Sequence, residues 1–236
     1  MVHPATRRAA LTAVAALGVD VDVGVVFRPR PGEDRGRGVW QHRDLGVKDV
    51  AALLPRLAAA NAAGAAVYMR LAPGLKGCHP GVILLDDLDS AKLDRLVADG
   101  FQPRLLVETS PGNIQVWICL SAGTVDYAKV HEAARLLSAR YDADPRAVSP
   151  MQPGRLPGFT NRKPRYGIAG MYPFVRLLDA APGVIASAGP ALLAEMVGTA
   201  QRGGGGRAAP ETPRIAATSP AVSAEVSERI DALAKR

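Results

Sequence analysis

Four turn-forming residues, Ser110-Pro111-Gly112-Asn113, separate two segments that both have the composition of a β-strand, "PRLLVETS" and "NIQVWICL". Pro and Gly at the centre of such a stretch favour a tight chain reversal. A reversal this short makes the two strands pair antiparallel, which excludes a purely parallel, doubly wound sheet. Helical patterns alternate with strands elsewhere in the chain. The sequence therefore predicts an α+β fold, with a mixed or antiparallel central sheet flanked by helices.

Hydrophobic periodicity divides the rest of the chain into further elements. The apolar spacing predicts helices over 5–17, 47–64, 90–100, 124–141 and 190–200, and strands over 19–27, 39–43, 65–72, 81–85 and 171–180. Helix 5–17 includes two adjacent arginines before an Ala-rich run, and we interpret it as part of the fold rather than as an export signal. We expect one domain over 1–200, a Gly/Pro-rich flexible linker over 201–220 and an amphipathic helix over 221–236 that could begin a further helical domain.

The chain is strongly basic, with a net charge of +7 and a pI near 9.8. Such a balance favours a polyanionic partner, with nucleic acid ahead of an acidic membrane surface. Cys78 and Cys119 are far apart in sequence, which fits a protein of the reducing cytoplasm better than a disulfide framework. No segment has the roughly 18 apolar residues of a membrane span. We expect a cytoplasmic protein that binds nucleic acid and no membrane.

The stretch "GVILLDDLDS" ends an apolar strand with three carboxylates, Asp86, Asp87 and Asp89. If the strand ends before them, Asp86 and Asp87 can both reach one site and Asp89 caps the helix that follows. If the pleat continues, Asp87 and Asp89 share a face instead. Clustered carboxylates are stabilised by a bound divalent cation, and oxygen ligands suit Mg²⁺ or Mn²⁺. Capping and solvated surface charge is an equally weighted interpretation of the cluster alone.

A loop over 152–166, "QPGRLPGFTNRKPRY", is rich in cationic side chains that a loop does not need for folding. Its Arg155, Arg162 and Lys163 could bind phosphates. Asp144, just upstream, could complete a carboxylate triad with Asp86 and Asp87, although a residue before Pro145 is more often a simple turn residue. In the hairpin, Ser110 and Gln115 could touch a nucleotide, whereas Trp117 is better explained as core. The chain has no phosphate-binding P-loop and no nucleophile elbow, and its histidines lack zinc-ligand spacing.

Three motifs in order, "VILLDDLD", "VETSPGNIQVWI" and "GRLPGFTNRKP", resemble the RepB-like plasmid replication primases of the archaeo-eukaryotic primase superfamily. The resemblance covers roughly residues 5 to 180. It implies a catalytic core with an RRM-like sheet. It also implies metal ligation by Asp86, Asp87 and Asp144, with nucleotide phosphates approached by Arg155, Asn161, Arg162 and Lys163. The superfamily usually has a His in the second motif, where this chain has Gln115.

The leading hypothesis is therefore a primase or primase-polymerase of a plasmid, phage or integrated element. It would synthesise primers on a single-stranded DNA template from nucleoside triphosphates, with two Mg²⁺ or Mn²⁺ ions. A replicative helicase or a relaxase would be a further partner. Two alternatives remain open at this point: a non-catalytic single-stranded DNA-binding or replication-initiator module that uses the same basic surface, and a metal-dependent nuclease.

Overall fold

The computed structural model describes residues 2–27, 38–74 and 77–202. The predicted linker and terminal helix beyond residue 202 lie outside these residues, as does most of the charged loop after the first strand. The five helices of the described chain are α1 (Pro4–Leu17), α2 (Val47–Ala62), α3 (Ser90–Ala98), α4 (Tyr127–Arg140) and α5 (Gly189–Arg202). Its strands are β1 (Val21–Val26), β2 (Gly38–Leu45), β3 (Ala66–Leu71), β4 (Cys78–His79), β5 (Val82–Leu88), β6 (Leu105–Ser110), β7 (Asn113–Cys119), β8 (Val125–Asp126), β9 (Gly154–Arg155) and β10 (Arg176–Ala180).

Local capping chemistry sets where the helices begin. At the start of α3, the Asp89 side chain accepts a hydrogen bond from the backbone N–H of Lys92 at 2.8 Å, so its predicted role as a helix cap is confirmed. Asp126 caps α4 in the same way, through the N–H of Ala128. Of the helices in the described residues, none is long and apolar enough to cross a membrane.

The strands form two four-stranded sheets and one small two-stranded ribbon. The first sheet has the order β2-β1-β3-β9, the second β10-β6-β7-β5, and β4 pairs with β8. Every ladder between these strands is antiparallel. The predicted hairpin is the β6–β7 pair, with Ser110 opposite Asn113. The α+β expectation and the antiparallel central sheet are confirmed.

Strand β5 is apolar throughout its first half because both of its faces are buried. Val82 and Leu84 point into a core shared with the first sheet, α1 and α2. Ile83 and Leu85 point the other way, into a core formed with α3, α4 and α5. The second sheet is thus a central layer between two hydrophobic cores, and the carboxylates that follow Leu85 emerge at the edge of both.

Two predicted elements differ from the observed ones. The last strand was expected over 171–180, but β10 covers only Arg176–Ala180, because the preceding residues pair back onto the loop that contains the Arg/Lys cluster. No strand was predicted between 72 and 81, yet Cys78–His79 pairs with Val125–Asp126. Both features depend on partners distant in sequence, which a local pattern does not contain.

The short strand β9 brings the basic loop against the second sheet. It pairs with β3, placing Arg155 opposite Tyr68. Gly154 lies so close to the second sheet that a Cβ atom there would stand 2.6 Å from Trp117 Cζ2 and 3.1 Å from Gln115 Oε1. Only glycine allows this approach, so the "PGRLP" motif holds its arginine next to the β7 face.

Candidate active site

A bulge in β5 presents Asp86 and Asp87 at one place. The strand was expected to end before them, but it runs on to Leu88, with a break in register between Leu85 and Leu88. Asp87 adopts a left-handed backbone conformation, with φ of 63°, which Asp tolerates better than most residues. Its backbone N–H donates to Asp86 Oδ1 at 2.9 Å. The bulge therefore does what a strand end was expected to do, since it turns two consecutive carboxylates away from the strict pleat alternation.

Asp144 lies beside this bulge although 58 residues separate it from Asp86 along the chain. Its backbone N–H donates to the Asp86 carbonyl oxygen at 3.0 Å. The side chain of Ser138, on α4, donates to the Asp144 carbonyl oxygen and so fixes the turn that follows the helix. The backbone of the third predicted residue is thus brought against that of the first.

Each of the three carboxylates already has a donor. Asp86 Oδ2 accepts from Gln115 Nε2 at 3.0 Å, and Asp87 Oδ1 accepts from Asn113 Nδ2 at 2.6 Å. Asp144 forms an ion pair with Arg146, with 3.2 Å between Oδ1 and Nε. Among the described residues, no three His, Cys, Asp or Glu side chains are arranged so that they could hold a metal ion. The carboxylates are neighbours but turn to separate partners, as mutually repelling charges do.

Burial makes the Asp86 carboxyl costly to ionise. It raises the pKa of the Asp86 carboxyl, while the hydrogen bonds from Gln115 and from the Asp87 N–H act in the opposite direction. The pKa of Asp144 is lowered, first by the hydrogen bond from the Arg146 N–H and then by the Arg146 side chain. The Lys163 ammonium also favours ionisation of both Asp86 and Asp144. Through Lys163, the basic loop therefore lies within electrostatic reach of Asp86 and Asp144.

Gln115 joins the acidic strand to the basic loop. Its side chain is 3% exposed, donates to Asp86 as described, and accepts the backbone N–H of Arg155 on Oε1 at 2.8 Å. Both ends of the amide are engaged within the protein. Gln115 was predicted to touch a nucleotide, and in this structure it positions the residues around that site. Its strand neighbour Trp117 is buried in the core, as expected.

Arg155 is the basic residue most firmly built into the site. Its side chain is 3% exposed, and its guanidinium lies over the Tyr68 ring, 4.3 Å from the centroid. Burial lowers the pKa of Arg155, which the nearby Tyr68 and Asp86 oppose. Its Nη1 atom is buried and has no hydrogen-bond partner within the described chain. A buried guanidinium nitrogen without an acceptor is destabilising unless an anion binds it.

The other predicted contacts divide between structure and surface. Asn161 is fully buried, and its Nδ2 donates to the Thr109 carbonyl oxygen at 2.6 Å, so it fastens the loop to the hairpin. Ser110 is buried and hydrogen-bonds Tyr166. Arg162 stacks on Tyr172, 5.0 Å from the ring centroid, and Lys163 is exposed. Of this group, Lys163 is the residue whose charge acts on Asp86 and Asp144.

Three residues of the site were missed in the sequence. Tyr68 supports the Arg155 guanidinium, and nothing in a half-buried strand distinguishes it from a packing residue. Asn113 binds Asp87 but was explained by its turn position alone. The Arg146 guanidinium interacts with Asp144 and feels the charge of Asp87. An arginine two residues after a candidate ligand was an available signal for this counter-charge.

A model of the RepB DNA-primase N-terminal domain family matches residues 41–189, more than half of the 236 residues. The chain belongs to the RepB DNA-primase N-terminal domain family. The matched range contains the acidic strand, the hairpin and the basic loop, so the resemblance carried by those three motifs is confirmed. Residues 5–40, which the resemblance also included, lie outside the matched range.

Individual relatives of this RepB-type domain are similar over different lengths. It is 38% identical over 173 residues to mobilization protein A of Escherichia coli, which covers 73% of this chain and 23% of that protein. It is 42% identical over 100 residues to a DNA primase of Acidithiobacillus ferrooxidans, covering 42% of this chain and 28% of that protein. The chain thus spans about a quarter of the length of these two relatives.

This chain matches the whole length of a solved catalytic domain. The fold matches the catalytic domain of primase RepB′, solved in complex with initiator DNA, with a TM-score of 0.69 and 34% identity. The match covers 85% of this chain and 100% of that chain. The α+β architecture described above is therefore that of a primase catalytic domain.

Proposed function

We propose that the chain is the catalytic domain of a DNA primase or primase-polymerase. It would synthesise short primers on single-stranded DNA from nucleoside triphosphates, in the replication of a plasmid, phage or integrated element. The observation that carries the proposal is that Asp144 is bonded through its backbone to Asp86, the neighbour of Asp87, while Gln115 joins Asp86 to a buried arginine whose Nη1 atom has no partner in the described chain. Family membership and the RepB′ catalytic domain support the same activity.

The donor chemistry of the site fits divalent cations, although the carboxylates do not converge in this structure. We propose that Asp86, Asp87 and Asp144 would hold Mg²⁺ or Mn²⁺, since all three offer hard oxygen ligands. Bound there, two such ions would supply Lewis-acid chemistry that favours attack by a 3′-hydroxyl and departure of pyrophosphate. In binding these ions, the carboxylates would give up their present hydrogen bonds. A bound cation would also offset the unfavourable burial of the Asp86 charge.

The protein's own residues would position the nucleotide. The Arg155 guanidinium, held over the Tyr68 ring and aligned by its backbone bond to Gln115, would bind a phosphate oxygen through Nη1. Lys163 would place a second positive charge near the acidic pair. Arg162 would approach the same phosphates or the template backbone. Asn161 and Ser110, which are buried and bonded internally, would set the position of the loop rather than touch the nucleotide.

Partners and domain organisation follow as further proposals. The template would be single-stranded DNA, consistent with the net charge of +7 and with the initiator DNA bound to RepB′. The similarity to a mobilization protein supports a replicative helicase or a relaxase as a further partner. We propose a division into a catalytic domain over 1–200, a linker over 201–220 and an amphipathic helix over 221–236. A cytoplasmic location would suit such partners.

Primer synthesis with a matched pair of variants tests the proposal. The full chain is incubated with single-stranded DNA, labelled nucleoside triphosphates and Mn²⁺, and the products are separated by length. Asp87→Asn should lower synthesis at least about 100-fold, because it removes a carboxylate ligand while Asn still tolerates the left-handed backbone. Asp89→Asn should retain synthesis, since Asn is an equally good helix cap.

Three results would contradict the proposal: no oligonucleotide from the wild-type chain, full synthesis by Asp87→Asn, or equal losses in both variants. Salt-dependent DNA binding without synthesis, unaffected by Asp87→Asn, would favour the non-catalytic binding module instead. Shortening of the template in place of new product would favour a nuclease.

A further inference from the structure

The second half of the basic loop, together with the residues that follow it up to 175, forms a hairpin that extends away from the sheets. We call residues 159–175 the basic hairpin. Thr160 bridges Phe174, the Asn161 N–H donates to the Pro173 carbonyl oxygen, and the tip closes where Ile168 and Met171 exchange two backbone hydrogen bonds of 2.9 Å. A single 3₁₀ turn at Pro164–Tyr166 interrupts one arm. The segment is therefore a folded projection with a defined base and tip.

The base of the basic hairpin is firmly attached to the domain. Phe159 and Val175 are buried in the core that the two sheets share. Thr160 receives and gives hydrogen bonds at Asn61 on α2, through its N–H, its hydroxyl and its carbonyl oxygen. Asn161 is bonded to Thr109 at the end of β6. The position of the projection relative to the candidate active site is thus set by buried contacts at two separate elements.

The projection nevertheless exposes large apolar side chains. Ile168 is 75% exposed, Met171 71% and Phe174 60%, whereas no other large hydrophobic side chain in the described residues exceeds 39%. Apolar side chains concentrated on one anchored projection are typical of a surface that binds a partner. Since the hairpin is fixed at its base, these side chains are exposed on a folded segment and not on an unfolded one.

The charge around the hairpin selects the kind of partner. Between Asp144 and Asp179 the sequence contains no acidic residue but six cations, namely Arg146, Arg155, Arg162, Lys163, Arg165 and Arg176. Three of these lie on the basic hairpin itself, and the Lys163 charge reaches the Asp86 carboxylate. The cations at 162–165 are followed by the exposed side chains of Ile168, Met171 and Phe174, and the Lys163 charge links this segment to the candidate active site. Single-stranded nucleic acid needs this combination, because phosphates meet cations while bases stack on apolar faces.

We propose that the basic hairpin is a docking surface for single-stranded template DNA, placed beside the active site. The inference rests on the proposed function and adds to it the surface that holds the template. Arg162, Lys163 and Arg165 contact the sugar-phosphate backbone. The Phe174 ring, with Ile168 and Met171 near the tip, contacts unpaired bases. Stacking of this kind tolerates any base sequence, so the surface binds templates without sequence preference.

Two probes of equal charge separate base contact from phosphate contact. The full chain is titrated with a fluorescently labelled oligothymidine and with an abasic oligonucleotide of the same length, by anisotropy. Phe174→Ala should weaken oligothymidine binding by about 5- to 100-fold, the loss typical of one stacked base, and leave abasic binding unchanged within about two-fold. Phe174→Tyr, which keeps an aromatic ring, should bind both probes like the wild type.

Two controls complete the design. Ile185→Ala alters another partly exposed apolar residue, outside the hairpin, and should change neither affinity. Arg165→Ala should weaken both probes together and reduce the slope of affinity against salt by about one, as the loss of a phosphate contact does.

The inference is overturned if Phe174→Ala leaves oligothymidine binding intact or weakens both probes equally. It is also overturned if the Phe174→Ala variant changes the oligomeric state or the binding of the chain's own tail, measured by analytical ultracentrifugation, without changing DNA affinity. Primer synthesis distinguishes this failure from that of the proposed function. Synthesis by the wild type with no base-dependent effect at Phe174 refutes the hairpin alone, whereas base-dependent binding without synthesis refutes the primase alone.

Discussion

Replacing Gln115 with alanine should separate the acidic strand from the basic loop. The wild-type amide makes two buried hydrogen bonds, to Asp86 Oδ2 at 3.0 Å and from the Arg155 N–H at 2.8 Å. Its loss leaves the Arg155 N–H without an acceptor in a position that is 3% exposed, at a cost of about 1–3 kcal/mol. The bond to the partly buried Asp86 carboxylate is charge-assisted and adds about 1–2 kcal/mol.

The free energy of unfolding should therefore fall by about 2–5 kcal/mol, which corresponds to a drop in Tm of about 5–15 °C for a domain of this size. Urea denaturation followed by tryptophan fluorescence measures the first quantity, and calorimetry the second. Gln152→Ala is the matched control, because that amide is partly exposed and lies two residues before β9. We expect this control to change stability by less than about 0.5 kcal/mol.

Primer synthesis by the Gln115→Ala variant should also fall at temperatures where it is fully folded, with a higher KM for the nucleotide, because Arg155 and Asp86 lose their common support. A Gln115→Ala protein that unfolds within about 0.5 kcal/mol of the wild type would refute the positioning role derived from the two hydrogen bonds. An unchanged KM in the folded variant would refute the link from that role to nucleotide binding.

Three further predictions concern residues around this amide. Arg155→Lys should raise the KM for the nucleotide at least about 10-fold in steady-state assays, because an ammonium neither stacks on Tyr68 nor offers the forked donors of a guanidinium; an unchanged KM would contradict it. Asp86→Asn loses one of the two acceptor oxygens of the carboxylate, but it should gain stability relative to the wild type as the pH rises. Burial raises the pKa of Asp86, so the ionised group destabilises the fold above that raised pKa, and the cost disappears as the pH falls through it towards the ordinary Asp value. Unfolding free energies measured across this range should show the gain of Asp86→Asn shrinking on acidification, and a gain independent of pH would argue against burial as its cause. Asn161→Ala should lower the unfolding free energy by about 1–3 kcal/mol, because the buried carbonyl oxygen of Thr109 loses its donor. If calorimetry shows no change, this hydrogen bond does not stabilise the fold, and a role for Asn161 in phosphate binding is favoured instead.

Much of this fold was predictable from local pattern. The apolar run before Asp86 reports that both faces of β5 are buried, and the Ser110–Asn113 turn requires an antiparallel pair. Asp89 could be assigned as a cap because a capping residue acts on the N–H groups of its own helix. In each case the residues that indicate the feature lie within about ten residues of one another in the sequence.

The arrangement of the site was less predictable, because its contacts join distant segments. The bulge at Asp87 depends on the register between β5 and β7, and that register is set by both strands together. The placement of Asp144 follows from a single backbone bond to Asp86 after α4 has crossed the sheet. Side-chain type did not distinguish Asn161, which is buried and bonded to Thr109, from Lys163, which is exposed and acts on the Asp86 charge. Burial decides between these roles, and burial is a property of the whole fold.

Mn²⁺ binding to the full chain tests the central claim most directly, since it asks whether neighbouring carboxylates that do not converge in this structure act as one metal site. The measurement is electron paramagnetic resonance of free Mn²⁺ during titration, with nucleoside triphosphate present and with the nucleotide alone subtracted. We predict saturable binding by the wild type and by Asp89→Asn, with loss of about 10-fold or more in affinity for Asp86→Asn, Asp87→Asn and Asp144→Asn. Equal binding by all five proteins, or no binding above the nucleotide alone, would contradict the assignment of these carboxylates as the catalytic centre.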